Sequence, residues 1–284
     1  MSGTLYLCAT PIGNLEDITL RVLRILKEAD LIAAEDTRNS RKLLTHFDIH
    51  TPLTSYHEHN KWDKGRTLIK KLEEGQNIAL ITDAGMPGIS DPGSELCSMA
   101  VEAGIPVTVC PGASACVTAL ALSGFPSKRF AFEGFLSTQK KEREALLLSL
   151  KDEVRTMVFY EAPHRLCETL DALSAAFGGE RKAALCRELT KKHETVLRLT
   201  LAELSEHYKE QAPKGECVLI VGGRNPVELE REARMSWEAL SVSAHVEKYV
   251  SEGMDRKEAM KQAAKDRGIG KREIYALLLE EQKE

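Results

Sequence analysis

No stretch of about 18 uninterrupted apolar residues occurs in the sequence, so no membrane-spanning helix is expected. The first residues, Met1-Ser2-Gly3-Thr4-Leu5, lack the basic segment and cleavage site of a secretion signal, and the expected location is the cytoplasm. CxxC pairs are absent too. The seven cysteines, Cys8, Cys97, Cys110, Cys116, Cys167, Cys186 and Cys217, are scattered and mostly sit among Val, Leu and Ala, which reads as buried thiols rather than disulfides or a cysteine metal site. Neither GxGxxG nor GxxxxGK followed by Ser or Thr occurs, which removes the best evidence for the usual dinucleotide and Walker phosphate loops. No GxSxG elbow supports a serine hydrolase. An excess of positive charge is also missing: 39 Lys and Arg against 43 Asp and Glu leave a formal charge of -4. That excludes a simple polycation for nucleic acid and leaves room for a local basic face.

What is present describes a folded chain. Hydrophobic residues at 43% and charged residues at 29% exclude a disordered, collagen-like or coiled-coil protein, and 284 residues suffice for two domains or one large domain with an appendage. From Thr4 to Thr118, short apolar runs alternate with helical periods. Strands are expected at 5–7, 31–34, 52–56, 77–82 and 105–109, and helices at 18–29, 40–47, 61–74 and 93–102. Brief connections between them imply a mostly parallel sheet covered by helices on both faces. After the breaker-rich segment Ala121 to Pro126 a second series begins, with strands at 130–132, 156–160, 183–186, 195–199 and 217–221 and helices at 142–150, 166–176 and 202–208. Its later strands are candidates for antiparallel pairing, because the turn before residue 195 is too short for a crossover helix. Past Asn225-Pro226 only helices are expected, near 235–240, 243–251, 256–267 and 271–281. The last two flank Gly268-Ile269-Gly270 like a helix-turn-helix, and residues 256–272 hold seven Lys or Arg against two acids. The expected organisation is therefore an α/β domain over 1–121, a second over 122–226, and a small helical, RNA-contacting or merely capping unit over 227–284.

Polar chemistry gathers in the loops that follow strands. The segment Thr82 to Gly93 carries three glycines and two prolines at a strand's carboxyl edge, where open α/β sheets bind ligands. Asp83 there can accept a hydrogen bond from an amine or hydroxyl, and Ser114 in Cys110-Pro111-Gly112-Ala113-Ser114-Ala115 can donate one, a pair that suits a nucleoside better than a polyphosphate. Thr10 to Leu15, Ala34 to Arg38 and Ser55 to Asn60 join the same rim. His57 and His59 flank Glu58 with no obvious third ligand, so no metal is expected. In the second series, residues 181–192 hold five basic groups and one acid, Glu188, a pattern that fits phosphate binding or a solvated charge run.

These segments together resemble the tetrapyrrole-methylase-like S-adenosylmethionine methyltransferases over nearly the whole chain. The resemblance rests on Ala9 to Leu15, Ala34 to Arg38, Tyr56 to Asn60, Asp83 to Gly93, Cys110 to Ser114, Tyr160 to Arg165 and Arg187 to Lys191. Tetrapyrrole enzymes usually open with a GxGxGD loop, where this chain has Pro11-Ile12-Gly13-Asn14, and their GDP-type segment stands here as Thr82-Asp83-Ala84. Those departures, with the extra C-terminal helices, make the chain similar to the branch that methylates a cytidine ribose of 16S ribosomal RNA near the decoding site.

The resemblance implies two α/β domains with S-adenosylmethionine in the cleft between them, commonly in a homodimer. It implies cofactor contacts from Pro11, Asp83, Met86, Ser114, Ala115 and Tyr160, with backbone contact around Val218 to Val221. The RNA would be a partner within the assembled small ribosomal subunit. A ribose 2'-hydroxyl needs a proton acceptor, and Glu35, Asp36 and Glu188 are the candidates, undivided by sequence. Arg38, Arg165, Arg187 and Lys191 are candidates for positioning phosphates, with Asn14 and His59 for ribose or base contact. A methyltransferase acting on a tetrapyrrole-like acid and a non-catalytic RNA-binding assembly factor are the alternatives.

Overall fold

The computed structural model describes residues 2–209 and 213–281, which fall into two compact units, Met1–Gly223 and Arg224–Glu284. The larger unit begins with β1 (Leu5–Cys8), β2 (Leu31–Ala34), β3 (Leu53–Ser55), β4 (Ile78–Ile81) and β5 (Val107–Cys110), all parallel in the order β3-β2-β4-β1-β5. Successive side chains of a strand face opposite ways, and both faces here are apolar. Ala79 and Ile81 of β4 pack with Val22 and Leu26 of α1 (Leu20–Glu28) and Leu44 of α2 (Thr37–His46). Ile78 and Leu80 pack on the other side with Leu68 and Leu72 of α3 (Lys61–Glu73) and Leu96 and Ala100 of α4 (Gly93–Glu102).

Strand order fixes where the chain opens. From β1 the path runs through α1 to β2, and from β4 it returns past β1 to β5, so the loops leaving β1 and β4 diverge side by side at the carboxyl edge. Paired backbone bonds between Thr10 and Gly85, at 2.9 and 3.1 Å, tie those two loops together.

A second five-stranded sheet follows: β6 (Phe130–Phe135), β7 (Thr156–Glu161), β8 (Lys182–Arg187), β9 (Thr195–Thr200) and β10 (Cys217–Val221), in the order β6-β7-β10-β8-β9. Only β6 and β7 run parallel; the other pairs are antiparallel. One face, with Met157, Phe159, Leu185 and Leu219, is buried under α6 (Lys140–Ser149), α7 (Leu166–Phe177) and α8 (Leu201–Tyr208). The other face carries Val158, Ala184, Cys186, Val218 and Ile220. It is covered by α5 (Ala115–Ser123), through Cys116, Ala119 and Leu120, although α5 follows the first sheet in sequence. Position 121, expected to end the first domain, lies within this helix.

The smaller unit has four helices, α9 (Pro226–Glu238), α10 (Val242–Ser251), α11 (Arg256–Arg267) and α12 (Lys271–Glu281). Val246, Ala263, Ile274 and Leu278 form its centre. α9 starts nine residues before the expected 235, with the Asn225 side chain accepting from the Val227 amide and Pro226 at the first helical position. No residue of α9 is buried. Among the described residues, no helix is long and apolar enough to cross a membrane.

Candidate active site

The loop after β4 is held open by its own chemistry. Gly85 (φ +84°), Gly88 (φ +86°) and Ser90 (φ 66°) all adopt left-handed backbone, which turns the chain back without helix or strand. The Asp91 carboxylate then accepts from the amides of Gly88 (2.9 Å), Ile89 (3.2 Å) and Gly93 (2.7 Å), clamping the turn from inside. The Thr10 hydroxyl donates to the Thr82 carbonyl, so the β1 loop braces the start of this segment.

A cleft of about 380 Å³ lies between these loops and the second sheet. Ile12, Asp83, Met86, Ser114 and Ala115 line it from the first half, and Phe135, Tyr160, Leu189 and Val218 from the second. Five carboxylates border it: Glu35, Asp83, Asp91, Glu161 and Glu216. No Lys or Arg does so among the described residues. A polyphosphate would be repelled by such walls, whereas a compact, partly apolar cation fits them. The Tyr160 hydroxyl accepts from the Cys116 amide at 3.0 Å, so it closes the start of α5, while its ring meets Phe132 and Phe135 edge-on at 4.9 and 5.5 Å. Burial pushes this phenol up to about 12, and it stays protonated. Ser114 sits at the cap position of α5 and makes no side-chain capping bond.

A second chamber, of about 420 Å³, adjoins the first and shares Ile12, Thr82, Asp83, Ala84 and Glu216 with it. Its remaining walls include Pro11 and Gly13 from the β1 loop, Asn39, Ser40, Lys42 and His46 from α2, and Lys191 from the second half. Gly13 is needed where it stands: a Cβ there would come within 2.5 Å of Lys191 Cγ and 2.9 Å of the Leu189 carbonyl.

Of the residues expected to hold a cofactor, Asp83, Met86, Ser114, Ala115 and Tyr160 meet in the first cleft and Pro11 lies in the second chamber. Among the three candidate proton acceptors, Glu35 lines the cleft and accepts from the Thr82 hydroxyl at 2.7 Å. Asp36 caps α2, accepting from the Arg38 amide, and the Arg38 guanidinium beside it pulls its carboxyl down to about 2. Glu188, at φ 54°, accepts from Lys191 at 2.9 Å and from the Glu216 amide, and the lysine holds it below the usual carboxylate range. Neither Asp36 nor Glu188 lines either cavity.

The phosphate candidates are mostly committed to protein partners. Arg165 donates to the Leu136 carbonyl at 2.9 Å, and Arg187 to the Thr195 hydroxyl and the Lys214 carbonyl. Lys191 bridges Glu188 and Glu216, and Arg38 is exposed against Asp36. Asn14 accepts from the Glu16 amide at the start of a short 3-10 turn, and exposed His59 lies edge-on to His57 outside both cavities. Sequence reading passed over Asn39, Ser40, Lys42 and His46, whose three- and four-residue spacing on α2 was the available signal. It also passed over Glu161, buried at the end of β7 and accepting from the Thr169 hydroxyl at 2.6 Å. Among the described residues, no group of three or more His, Cys, Asp or Glu is arranged to hold a metal.

A parallel sheet whose carboxyl edge carries a glycine-proline loop, facing a mixed sheet across an acidic cleft, is the architecture of one methylase family. Tetrapyrrole (corrin/porphyrin) methylases match residues 4–205, and the chain belongs to this family. Uroporphyrin-III C-methyltransferase from Thermus thermophilus, solved complexed with S-adenyl homocysteine, superposes with a TM-score of 0.56 at 20% identity, over 78% of this chain and 97% of that one. More similar in sequence are two proteins named ribosomal RNA small subunit methyltransferase I. That of Halalkalibacterium halodurans is 53% identical, over 98% of this chain and 96% of its own length, and that of Bacillus subtilis is 49% identical, over 96% and 93%.

Proposed function

We propose that this enzyme transfers a methyl group from S-adenosylmethionine to the ribose 2'-hydroxyl of a cytidine in 16S ribosomal RNA, near the decoding site of the small ribosomal subunit. The observation that carries the reading is the division of charge at the carboxyl edge: a cleft walled by five carboxylates opens into a chamber that also carries Lys42, His46 and Lys191. Near-full-length identity to ribosomal RNA small subunit methyltransferases supports the substrate class.

The first cleft fits the cofactor. Asp83 and the uncommitted Ser114 hydroxyl provide polar contacts for a nucleoside, and Met86, Ala115, Leu189 and Val218 provide apolar walls, with Tyr160 holding the α5 end of the cleft in shape. When bound, S-adenosylmethionine supplies an activated methyl on a cationic sulfur. The protein's task is then to align a hydroxyl, exclude water and receive a proton. Glu35, the one of the three expected acceptors on the cleft, faces only the cofactor side. Asp83 is a wall of both cavities and accepts from the Asp36 amide at 3.1 Å and the Asn39 side chain at 3.1 Å, which hold its carboxylate in place. Asp83 therefore takes the hydroxyl proton, and Asp36 and Glu188 serve as local braces.

The enzyme acts as a homodimer through exposed apolar residues such as Val117 and Leu122 of α5 and Val109 of the edge strand β5; light scattering of the purified chain tests this. The basic α11 grips RNA backbone. Incubating small subunits that lack the modification with labelled S-adenosylmethionine and the full chain is expected to yield ribose-methylated cytidine. A base-methylated nucleoside, or incorporation into a porphyrinoid and not into RNA, overturns the assignment.

A further inference from the structure

We infer that the second chamber, bounded by α2 and the β1 loop, holds the acceptor nucleotide, with the Ser40 hydroxyl as a hydrogen-bonding contact and Lys42 as a phosphate contact. This rests on the RNA-methylating reading above and adds the place where the RNA enters. The chamber is large enough, about 420 Å³, for a nucleoside-sized group, and it shares the Asp83 wall with the cofactor cleft, so a hydroxyl held there stands beside the proton acceptor.

Two side chains point to a ligand independently. Ser40 is only 4% exposed and lines the chamber, yet its hydroxyl has no hydrogen-bond partner among the described residues. Buried hydroxyls are mostly paired, because one left unpaired loses its hydration without a replacement bond. A hydroxyl so placed on the wall of a cavity is open to a partner that arrives from outside. Lys42 is the second. It is exposed, lies on the same wall, and makes no ion pair among the described residues, whereas Lys191 opposite is neutralised by Glu188 and Glu216. His46, one turn beyond Lys42, adds a donor on the same face. Neither cavity could exchange roles with the other. Among the described residues, no Lys or Arg lines the cofactor cleft to meet a phosphate, whereas the second chamber carries Lys42, which makes no ion pair, beside the paired Lys191.

The test uses the full chain with Ser40→Ala, Lys42→Ala and Lys42→Arg. It measures S-adenosylmethionine affinity by calorimetry, equilibrium binding to small subunits at several salt concentrations, steady-state methyl transfer, and thermal stability. Lys42→Ala is expected to raise KM for small subunits and weaken binding three- to tenfold, to lower the slope of log affinity against log salt by about 0.7, and to leave cofactor affinity unchanged. Lys42→Arg should restore most of the loss. Ser40→Ala should raise KM severalfold while the melting temperature stays level or rises, since an unpaired buried hydroxyl is removed. If Ser40→Ala lowers the melting temperature and leaves KM alone, its hydroxyl is structural; if Lys42→Ala also leaves binding and the salt slope unchanged, the inference is wrong. A wild-type chain that methylates no small-subunit RNA would instead defeat the functional reading itself.

Discussion

The two cavities that meet at Asp83 are built from the same loops and differ in what they leave unpaired. In the first, acids dominate and the hydroxyl of Tyr160 is spent on the start of α5, so shape and negative charge are its recognition elements. In the second, Glu216 is matched by Lys191 and Asp83 is held by the Asp36 amide and Asn39, and the uncommitted groups are a buried hydroxyl and an exposed ammonium. On the proposed assignment a cationic cofactor and an anionic nucleotide would lie side by side, the first facing carboxylates without a lysine or arginine and the second facing Lys42. A burial argument alone would have ranked the many arginines of the second half above Lys42. Bonds to backbone carbonyls remove Arg165 and Arg187.

Asp83 is where the comparison can be broken most severely. Asp83→Asn keeps one oxygen to accept from Asp36 or Asn39 but cannot take a proton, and kcat should fall by at least about 100-fold. Single-turnover methyl transfer at saturating cofactor checks this, and a kcat within threefold of wild type would remove Asp83 from the proton path. Next, Asp91→Ala should loosen the first cavity and spare the second, because three loop amides lose their acceptor. Cofactor affinity should drop about tenfold while small-subunit binding changes less than twofold, as read by calorimetry and by filter binding. In the smaller unit, Lys257→Glu with Lys261→Glu, both exposed, should weaken small-subunit binding a further three- to tenfold with cofactor affinity intact. Equal binding at low salt would show that α11 does not touch RNA.

The smallest effect is on stability against pH. Lys191 holds Glu188 below its ordinary carboxylate range in the folded chain, so the pair contributes stability that is fully present above the unfolded value of 4.5 and is lost as pH falls through the lower folded value. Urea unfolding at pH 7 and at pH 4 should show a smaller difference for Glu188→Gln than for the wild type. An unchanged difference would mean that the ion pair is solvated away.

Most strands were legible because buried strands announce themselves as apolar runs. Ile78 to Ile81 and Cys217 to Val221 read in sequence as they stand in the sheets. The antiparallel run of β8 and β9 followed from a turn too short to cross over. Two features were not legible. α9 presents no buried face, so its start depended on the cap at Asn225 and Pro226 alone. α5 is apolar on all sides, and a helix without a polar stripe does not say which sheet it will cover. The site divides along the same line. Asp83, Met86, Ser114, Ala115 and Tyr160 converge on the cleft because each leaves the carboxyl end of a strand or begins the helix that follows one. Arg165 and Arg187 looked equally suited to phosphate, but carbonyls brought near by folding had already claimed them.

The order of strands and helices, the glycine-proline turn after β4 and the gathering of acids at strand ends were written in the chain itself, since backbone preferences and apolar periodicity act over a few residues at a time. Which charges are neutralised, which hydroxyl is left without a partner and which sheet α5 shields depended on distances between segments far apart in sequence. Coulombic pairing and hydrogen bonding act through space, so those outcomes existed only once the two sheets were packed.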